Sequence, residues 1–178
     1  GVPPYTLLAS IDTYAVGRAF ARHVYDTGYR SIGAHLWYGA GTIEGVVEVL
    51  DETDATDDPF QEAQAFLWDP DWPHPPGRSI WTTKRDQLRA YIQKRLKPVC
   101  ILIQTPADAL DAVDICSELG LSIPDDVGIV AFGFPREMCH LSRVVLTNIA
   151  IPWEELGVAA ARQLNRILSG DPPPSSPE

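Results

Sequence analysis

The amino-acid sequence predicts an α/β fold with a doubly wound, mostly parallel sheet. Val99–Ile103 and Val127–Phe132 are short apolar runs without polar alternation, as in strands that are covered on both faces. Between them, apolar residues in Leu110–Leu119 recur at helical spacing and predict an amphipathic helix. A helix that joins two parallel strands forms a βαβ unit, which nearly always crosses over right-handed. Repetition of this unit along the 178 residues predicts helices on both faces of one sheet.

Capping residues and apolar periodicity delimit the elements. Asp12 is the expected cap of the first helix, in which Val16, Phe20 and Val24 share one side, and Gly28 ends it. The predicted elements, in chain order, are the strand Tyr5–Ile11, the helix Thr13–Asp26, the strand Arg30–Trp37, the helix Thr42–Asp51, the strand Ala63–Trp68, the helix Trp81–Lys97, the strand Val99–Ile103, a helix opened by Pro106, the strand Val127–Phe132, the strand Val144–Ala150 and a helix opened by Pro152.

The later helices carry the clearest end signals. Thr105 is a capping residue, and Pro106 lacks the amide hydrogen that the first helical position leaves unused. Asp108 places a negative charge in the first turn, where the helix dipole favours it, and Gly120 is the predicted C-cap. The last helix has glutamates in its first turn and arginines near its end, which complements the dipole in the same way.

Composition supports the remaining segments. Asp69–Gly77 (DPDWPHPPG) contains four prolines and is predicted to be an irregular connection. Leu88, Tyr91 and Ile92 lie at helical spacing and predict the third helix. Val144–Ala150 is rich in β-branched residues, which favour a strand.

The charge balance and the cysteines bound the class of protein. The net charge of −10 argues against direct binding to nucleic-acid phosphates. No apolar run approaches the ~20 residues of a membrane helix. The three cysteines, Cys100, Cys116 and Cys139, are widely spaced and odd in number, which predicts buried free thiols and a cytoplasmic protein. The four histidines show no metal-ligand spacing, so no metal is predicted. No P-loop or G-x-G-x-x-G motif occurs, and no cofactor is predicted.

Ligands of doubly wound sheets bind beyond the carboxyl ends of the strands. In this sequence, those positions are Asp12, Trp37–Thr42, Trp68–His74, Gln104–Pro106 and Phe132–Arg136. They carry several aromatic and polar groups, as a small-molecule cleft requires.

Three segments of the chain resemble one family of proteins. They read SIDTYAVGRAFARHVYDTGYRSIGAHL, SELGLSIPDDVGIVAFG and LSRVVLTNIAIPWEELGVAAARQLNRILSG. These segments resemble the effector-binding region of LacI/GalR-family transcription regulators. The stretch that begins REMCHLSRVVLTNIA is most similar to the xylose-operon branch, in which this region is joined to an AraC-type DNA-binding part.

The resemblance implies a periplasmic-binding-protein-like fold of two lobes with a sugar between them. Residues 1–170 would form an effector-binding and dimerisation domain that holds mainly the C-terminal lobe, and 171–178 (DPPPSSPE) a flexible tail. The expected partners are a sugar-like effector, a second copy of the chain, and operator DNA through a part outside this chain, with no membrane. No catalysis is implied. The expected ligand-binding residues are Asp12, Trp37, Thr42, Trp72, Thr105 and Gly133.

The chain departs from the family pattern where sugars are held. Thr42 stands where relatives place an arginine, and Thr105-Pro106 replaces an Asn-Asp or Thr-Asp pair. Gly133-Phe134-Pro135 stands where an acidic residue ends the strand. Each lost hydrogen bond to a sugar costs about 1–3 kcal/mol. One alternative is therefore a regulator domain that only dimerises.

A small stand-alone α/β enzyme is a second alternative. It would require a cluster of titratable residues at the strand ends. Beyond Asp12, Asp69 and His74, the sequence predicts none there.

Overall fold

A computed structural model describes residues 11–29, 31–36, 40–53, 64–67, 80–135, 139 and 142–172, with the backbone alone at 36, 40, 64–67 and 80–83. The first predicted strand falls almost entirely outside these residues, and so do Trp37, Trp72 and most of the predicted tail. The elements are α1 (Thr13–Thr27), β1 (Ser31–Leu36), α2 (Ala40–Glu52), β2 (Gln64–Leu67), α3 (Ile80–Lys94), β3 (Val99–Ile103), α4 (Pro106–Glu118), β4 (Val127–Phe132), β5 (Thr147–Ile149) and α5 (Trp153–Leu168).

The five described strands form one parallel sheet in the order β2-β1-β3-β4-β5. The predicted α/β class and parallel sheet are confirmed. The chain runs outward from β1 to β2 on one side and from β3 to β5 on the other. The strand order therefore reverses between β1 and β3, which is the position where doubly wound sheets form a ligand crevice.

Alternating residues of the strands face two helical layers. A methyl group at Gly33 would meet the Tyr91 hydroxyl of α3 and the Ile101 side chain, so these residues share one face of the sheet. On that face, the odd-numbered residues of β3 and β4 pack with α3 and α4 in a buried core. On the other face, Cys100 and Gly128 line a pocket with His23 of α1. Helices thus lie on both faces, as the doubly wound pattern predicts.

Two compact units divide the chain. Residues 13–150 contain the sheet and α1–α4, and residues 1–12 with 151–178 contain α5. Within the second unit, α5 leaves Trp153, Val158, Leu164 and Leu168 exposed.

Two predicted ends, that of the third helix and the start of the last strand, differ from the structure by three residues. The third helix ends at Lys94 rather than Lys97, because the residue before Pro98 is disfavoured in helical backbone. The Lys97 ammonium instead donates to the Ile92 carbonyl at 2.6 Å, near the end of α3. The last strand is Thr147–Ile149 rather than Val144–Ala150, and it pairs only with the carboxyl half of β4. The apolar residues that precede it pack against the core under α3 and α4 instead of extending the sheet.

Candidate functional site

The candidate site lies at the carboxyl ends of β1, β3 and β4. Ile103 is paired with His35 of β1 and with Ala131 of β4, so the segments that follow the three strands leave the sheet at one edge. Thr105 and Gly133, which the sequence predicts as ligand residues, follow β3 and β4 there.

Thr105 caps α4 as the sequence predicts. Its hydroxyl oxygen accepts a hydrogen bond from the Asp108 amide at 3.2 Å, and its carbonyl accepts from the Ala109 amide at 3.1 Å. Pro106 occupies the first turn without an amide hydrogen to satisfy. A hydroxyl that accepts a hydrogen bond keeps its own hydrogen for donation. The half-buried Thr105 side chain can therefore donate to an oxygen of a ligand.

Gly133 begins a loop that is fixed to β5. Its φ of 72° lies in the left-handed region that favours glycine. The Gly133 amide donates to the Ile149 carbonyl at 3.1 Å. The Asn148 side chain then spans the Phe134 backbone, accepting from its amide at 3.3 Å and donating to its carbonyl at 3.1 Å. Asn148, which sequence reasoning missed, thus fixes this wall of the site by hydrogen bonds to the main chain.

The other predicted ligand residues are placed differently. Thr42 lies on α2 and is 1% exposed, packed where α2 crosses α1. Its hydroxyl has no hydrogen-bond partner among the described residues. Asp12 is exposed and belongs to the unit that contains α5. The structure thus brings Thr105 and Gly133 to one edge of the sheet and buries Thr42.

A buried charged cluster lies beneath the same strand ends. The Lys84 ammonium of α3 contacts the two carboxylate oxygens of Asp108 at 2.6 and 2.7 Å, and the two side chains are 6% and 3% exposed. His35 of β1 is fully buried, with Nδ1 3.5 Å from an Asp108 oxygen. The prediction of no further titratable group at the strand ends was therefore wrong. Because all three side chains are buried, the cluster is suited to holding elements together rather than to acting on a substrate.

Burial sets the protonation of this cluster. It lowers the pKa of His35 below its usual value by removing the imidazole from water, and the Lys84 charge acts in the same direction. The Asp108 carboxylate opposes this shift only in part. His35 is accordingly neutral at neutral pH.

Acidification should destabilise the protein through His35. Below pH 6.5, the usual pKa of histidine, the unfolded chain binds a proton that the folded protein excludes. The free energy of unfolding therefore decreases as the pH is lowered. Between pH 6.5 and 5.5 the loss should be at most about 1 kcal/mol, the value for a histidine that stays unprotonated in the folded protein. Urea unfolding of the wild type and His35→Leu across this window measures it. Parallel curves for the wild type and H35L would contradict the prediction.

The cysteines are buried and free, as the sequence predicts. Burial raises the pKa of Cys100 to about 12 and that of Cys116 to about 11, so these thiols are poor nucleophiles and poor metal ligands. Within the described ranges, no group of three or more His, Cys, Asp or Glu side chains could hold a metal ion. No helix in those ranges is long and apolar enough to cross a membrane.

A surface pocket of about 350 Å³ lies away from the carboxyl ends of the strands. His23 of α1, Tyr29, Gly128 and Thr147 are among its lining residues. The Tyr29 hydroxyl donates to the Pro124 carbonyl at 3.1 Å, and a methyl group at Gly128 would come within 2.4 Å of that hydroxyl. Because Gly128 has no side chain, the Tyr29 ring can pack directly on β4.

A parallel sheet with polar groups at the carboxyl ends of β1 and β3 is the architecture of an α/β ligand-binding domain. Residues 21–178 match the family described as the periplasmic binding protein-like domain, and the chain belongs to that family.

Three curated relatives are named as regulators. The arabinose metabolism transcriptional repressor of Geobacillus stearothermophilus is 30% identical over 90 residues, which is 49% of this chain and 24% of that protein. The xylose operon regulatory protein of Escherichia coli (strain K12) is 24% identical over 94 residues, 53% of this chain and 24% of that protein. The probable opine utilization operon repressor of Rhizobium rhizogenes is 32% identical over 93 residues, which is 51% of this chain and 46% of that protein. The matches span less than half of each relative, and they do not single out the xylose branch.

Solved structures share the fold. The transcriptional regulator CelR–cellobiose complex superposes with a TM-score of 0.71 at 18% identity, covering 98% of this chain and 51% of that one. A LacI family transcriptional regulator from Enterococcus faecium with bound ribose superposes with a TM-score of 0.71 at 18% identity, covering 100% of this chain and 62% of that one. The periplasmic-binding-protein-like fold is thereby confirmed.

Proposed function

We propose that the chain is the ligand-sensing domain of a LacI/GalR-type transcription regulator with a sugar-like effector. The match of residues 21–178 to the periplasmic binding protein-like family carries the proposal. The regulators of arabinose, xylose and opine metabolism among the relatives support a regulatory and non-catalytic role. The structures that hold cellobiose and ribose support a saccharide as the effector class.

The effector would bind at the carboxyl ends of β1, β3 and β4. The Thr105 hydroxyl can donate to a sugar oxygen, and the loop at Gly133 forms the neighbouring wall. Asp12, Trp37, Thr42 and Trp72 remain proposed ligand residues, on the family resemblance alone. Binding would favour one of two arrangements of the regulator, because a ligand shifts an equilibrium by its difference in affinity for the two states. Operator DNA would be contacted by a part outside this chain, and a second copy would complete the dimer.

Thermal unfolding in the presence of sugars tests the proposal. The panel is L-arabinose, D-xylose, D-ribose and cellobiose, each at 10 mM. For a Kd of ~100 μM, this concentration is about 100-fold above the Kd. Such a ligand stabilises by about 2.7 kcal/mol and should raise Tm by about 5 °C or more. D-Mannitol at the same concentration is the control for non-specific stabilisation. A Tm unchanged by all four sugars would contradict the sugar-sensor proposal.

Thr105 variants test the location of the site. Thr105→Ser keeps both the helix cap and the hydroxyl, and should bind the sugar found in the panel with unchanged affinity. Thr105→Ala loses both, and should weaken binding about tenfold as well as reduce stability by about 1 kcal/mol. Isothermal titration measures the affinity of each. Equal affinity of Thr105→Ala and the wild type would place the site elsewhere.

A domain that only dimerises is the second candidate. The burial of Thr42 favours it, because the residue at the family's arginine position is 1% exposed. The two candidates differ in solution. A dimer in sedimentation equilibrium, combined with no thermal response to the sugars, would favour the second.

A further inference from the structure

Three elements meet at one carboxylate under the candidate site. Asp108 lies in the first turn of α4, its oxygens contact Lys84 of α3, and the ring of His35 on β1 faces it at 3.5 Å. His35 is paired with Ile103, the last residue of β3, so the cluster lies at the level where the sheet ends and the site begins. All three side chains are under 10% exposed.

Stability alone does not explain such a cluster. Taking a carboxylate and an ammonium out of water costs desolvation free energy, and apolar residues of similar volume are often as stable in the same place. In some proteins, buried polar or charged groups instead select one arrangement of neighbouring elements, because only one register pairs them. In this protein, the arrangement selected is that of the first turn of α4 against β1.

The first turn of α4 in turn fixes Thr105. The amide of Asp108 donates to the Thr105 hydroxyl oxygen, and the amide of Ala109 donates to the Thr105 carbonyl. The Gln104 amide, one residue earlier, donates to the His35 carbonyl at 3.2 Å. Movement of Asp108 would therefore displace the hydroxyl that the proposed effector contacts.

We propose that Asp108 is a positioning residue, and that its buried contacts with Lys84 and His35 hold the first turn of α4, with the Thr105 hydroxyl, at the effector site. This assignment deepens the proposed function and rests on it. Asp108 itself does not touch the effector. Its side chain sets the place from which Thr105 donates a hydrogen bond.

The double variant Lys84→Met/Asp108→Leu separates positioning from stability. It removes both charges and leaves an apolar pair, so Tm should stay near that of the wild type. Exchange of the backbone amides at positions 108 and 109, followed residue by residue by NMR, should become about tenfold faster as the turn opens locally. Exchange of Leu119, which donates to Ile115 at the other end of α4, should not change. The affinity for the sugar identified in the thermal panel should fall about tenfold.

A matched control uses the exposed ion pair of the same two helices. Arg85 and Glu118 join α3 to α4 at 2.7 Å, with side chains 28% and 47% exposed. Arg85→Gln/Glu118→Gln should leave both exchange and affinity at wild-type values. If K84M/D108L fails to fold, Lys84→Gln/Asp108→Asn, which removes both charges and leaves polar side chains, supplies the same comparison.

The outcomes separate the two proposals. Unchanged exchange of the amides at positions 108 and 109 in a folded variant overturns the positioning role. Faster exchange with unchanged sugar affinity overturns its connection to the effector and leaves a structural role only. If the wild-type protein binds none of the four sugars, the sugar-sensor proposal fails. The exchange of the two amides then still decides whether Asp108 holds the first turn of α4.

Discussion

Replacing Lys84 alone with methionine is expected to lower the free energy of unfolding by about 3–5 kcal/mol. The Asp108 side chain is only 3% exposed, and the substitution removes the ammonium that contacts both of its carboxylate oxygens. The neutral His35 ring cannot replace a positive charge. The cost is therefore that of an uncompensated buried carboxylate, because the unbranched methionine side chain replaces the apolar stem of the lysine.

Urea unfolding at pH 7.5 measures this loss. Arg85→Gln is the matched control, because Arg85 neighbours Lys84 on α3 and also pairs with a carboxylate of α4, but at the surface. Exposed pairs contribute about 0–1 kcal/mol, so this control should lie close to the wild type. The further change Asp108→Leu in the Lys84→Met background should restore most of the stability. A loss in K84M no larger than that of the control would show that the carboxylate is solvated in the folded protein.

The members of the buried cluster were each within reach of sequence reasoning, but their pairing was not. Lys84 lies one helical turn before Leu88, on the apolar face that predicts the third helix. Asp108 precedes the buried Ala109 and lies one turn before Ala112, so periodicity places it on the inner side of α4. A lysine and an aspartate on two inner faces indicate a buried pair only when the two helices are known to adjoin. That adjacency follows from the sheet order, which the local pattern does not contain.

The same distinction explains which elements were predicted well. The strands Val99–Ile103 and Val127–Phe132 have the predicted bounds, because every residue in them is buried and the apolar run itself marks the ends. The start of α4 was also predicted, since its cap, proline and aspartate act within four residues. The last strand was predicted too long. The apolar residues before Thr147 pack against the core and do not extend the sheet, although their β-branched side chains favour a strand. Asn148, whose role depends on a loop 14 residues away, gave no local signal.

Gly17→Ala is expected to destabilise the protein by about 3 kcal/mol, at the upper end of the usual cost of overpacking. A methyl group at Gly17 of α1 would come within 2.0 Å of the Thr42 carbonyl oxygen of α2. The atom in the way belongs to the backbone, so no side-chain rotation relieves the contact. The two helices must move apart, which displaces Thr42 and the start of α2 from the end of β1. Urea unfolding measures the loss.

Gly157→Ala is the matched control for this substitution. Gly157 also lies within a helix, but among the described residues nothing comes within 4 Å of a methyl group placed there. Alanine favours a helix over glycine by about 1 kcal/mol, so this variant should be as stable as the wild type or more stable. A Gly17→Ala protein as stable as Gly157→Ala would show that α1 and α2 do not approach as closely in solution.

A second glycine at the same helix crossing distinguishes how the strain is relieved. A methyl group at Gly45 of α2 would come within 2.2 Å of the Tyr14 carbonyl oxygen of α1. If the helices separate as rigid bodies, one displacement relieves both contacts, and the loss in Gly17→Ala/Gly45→Ala should be smaller than the sum of the single losses. Additive losses would instead indicate that each backbone yields locally. The first outcome implies that the spacing of α1 and α2 is set by these two glycines together, and with it the place of Thr42 at the helix crossing.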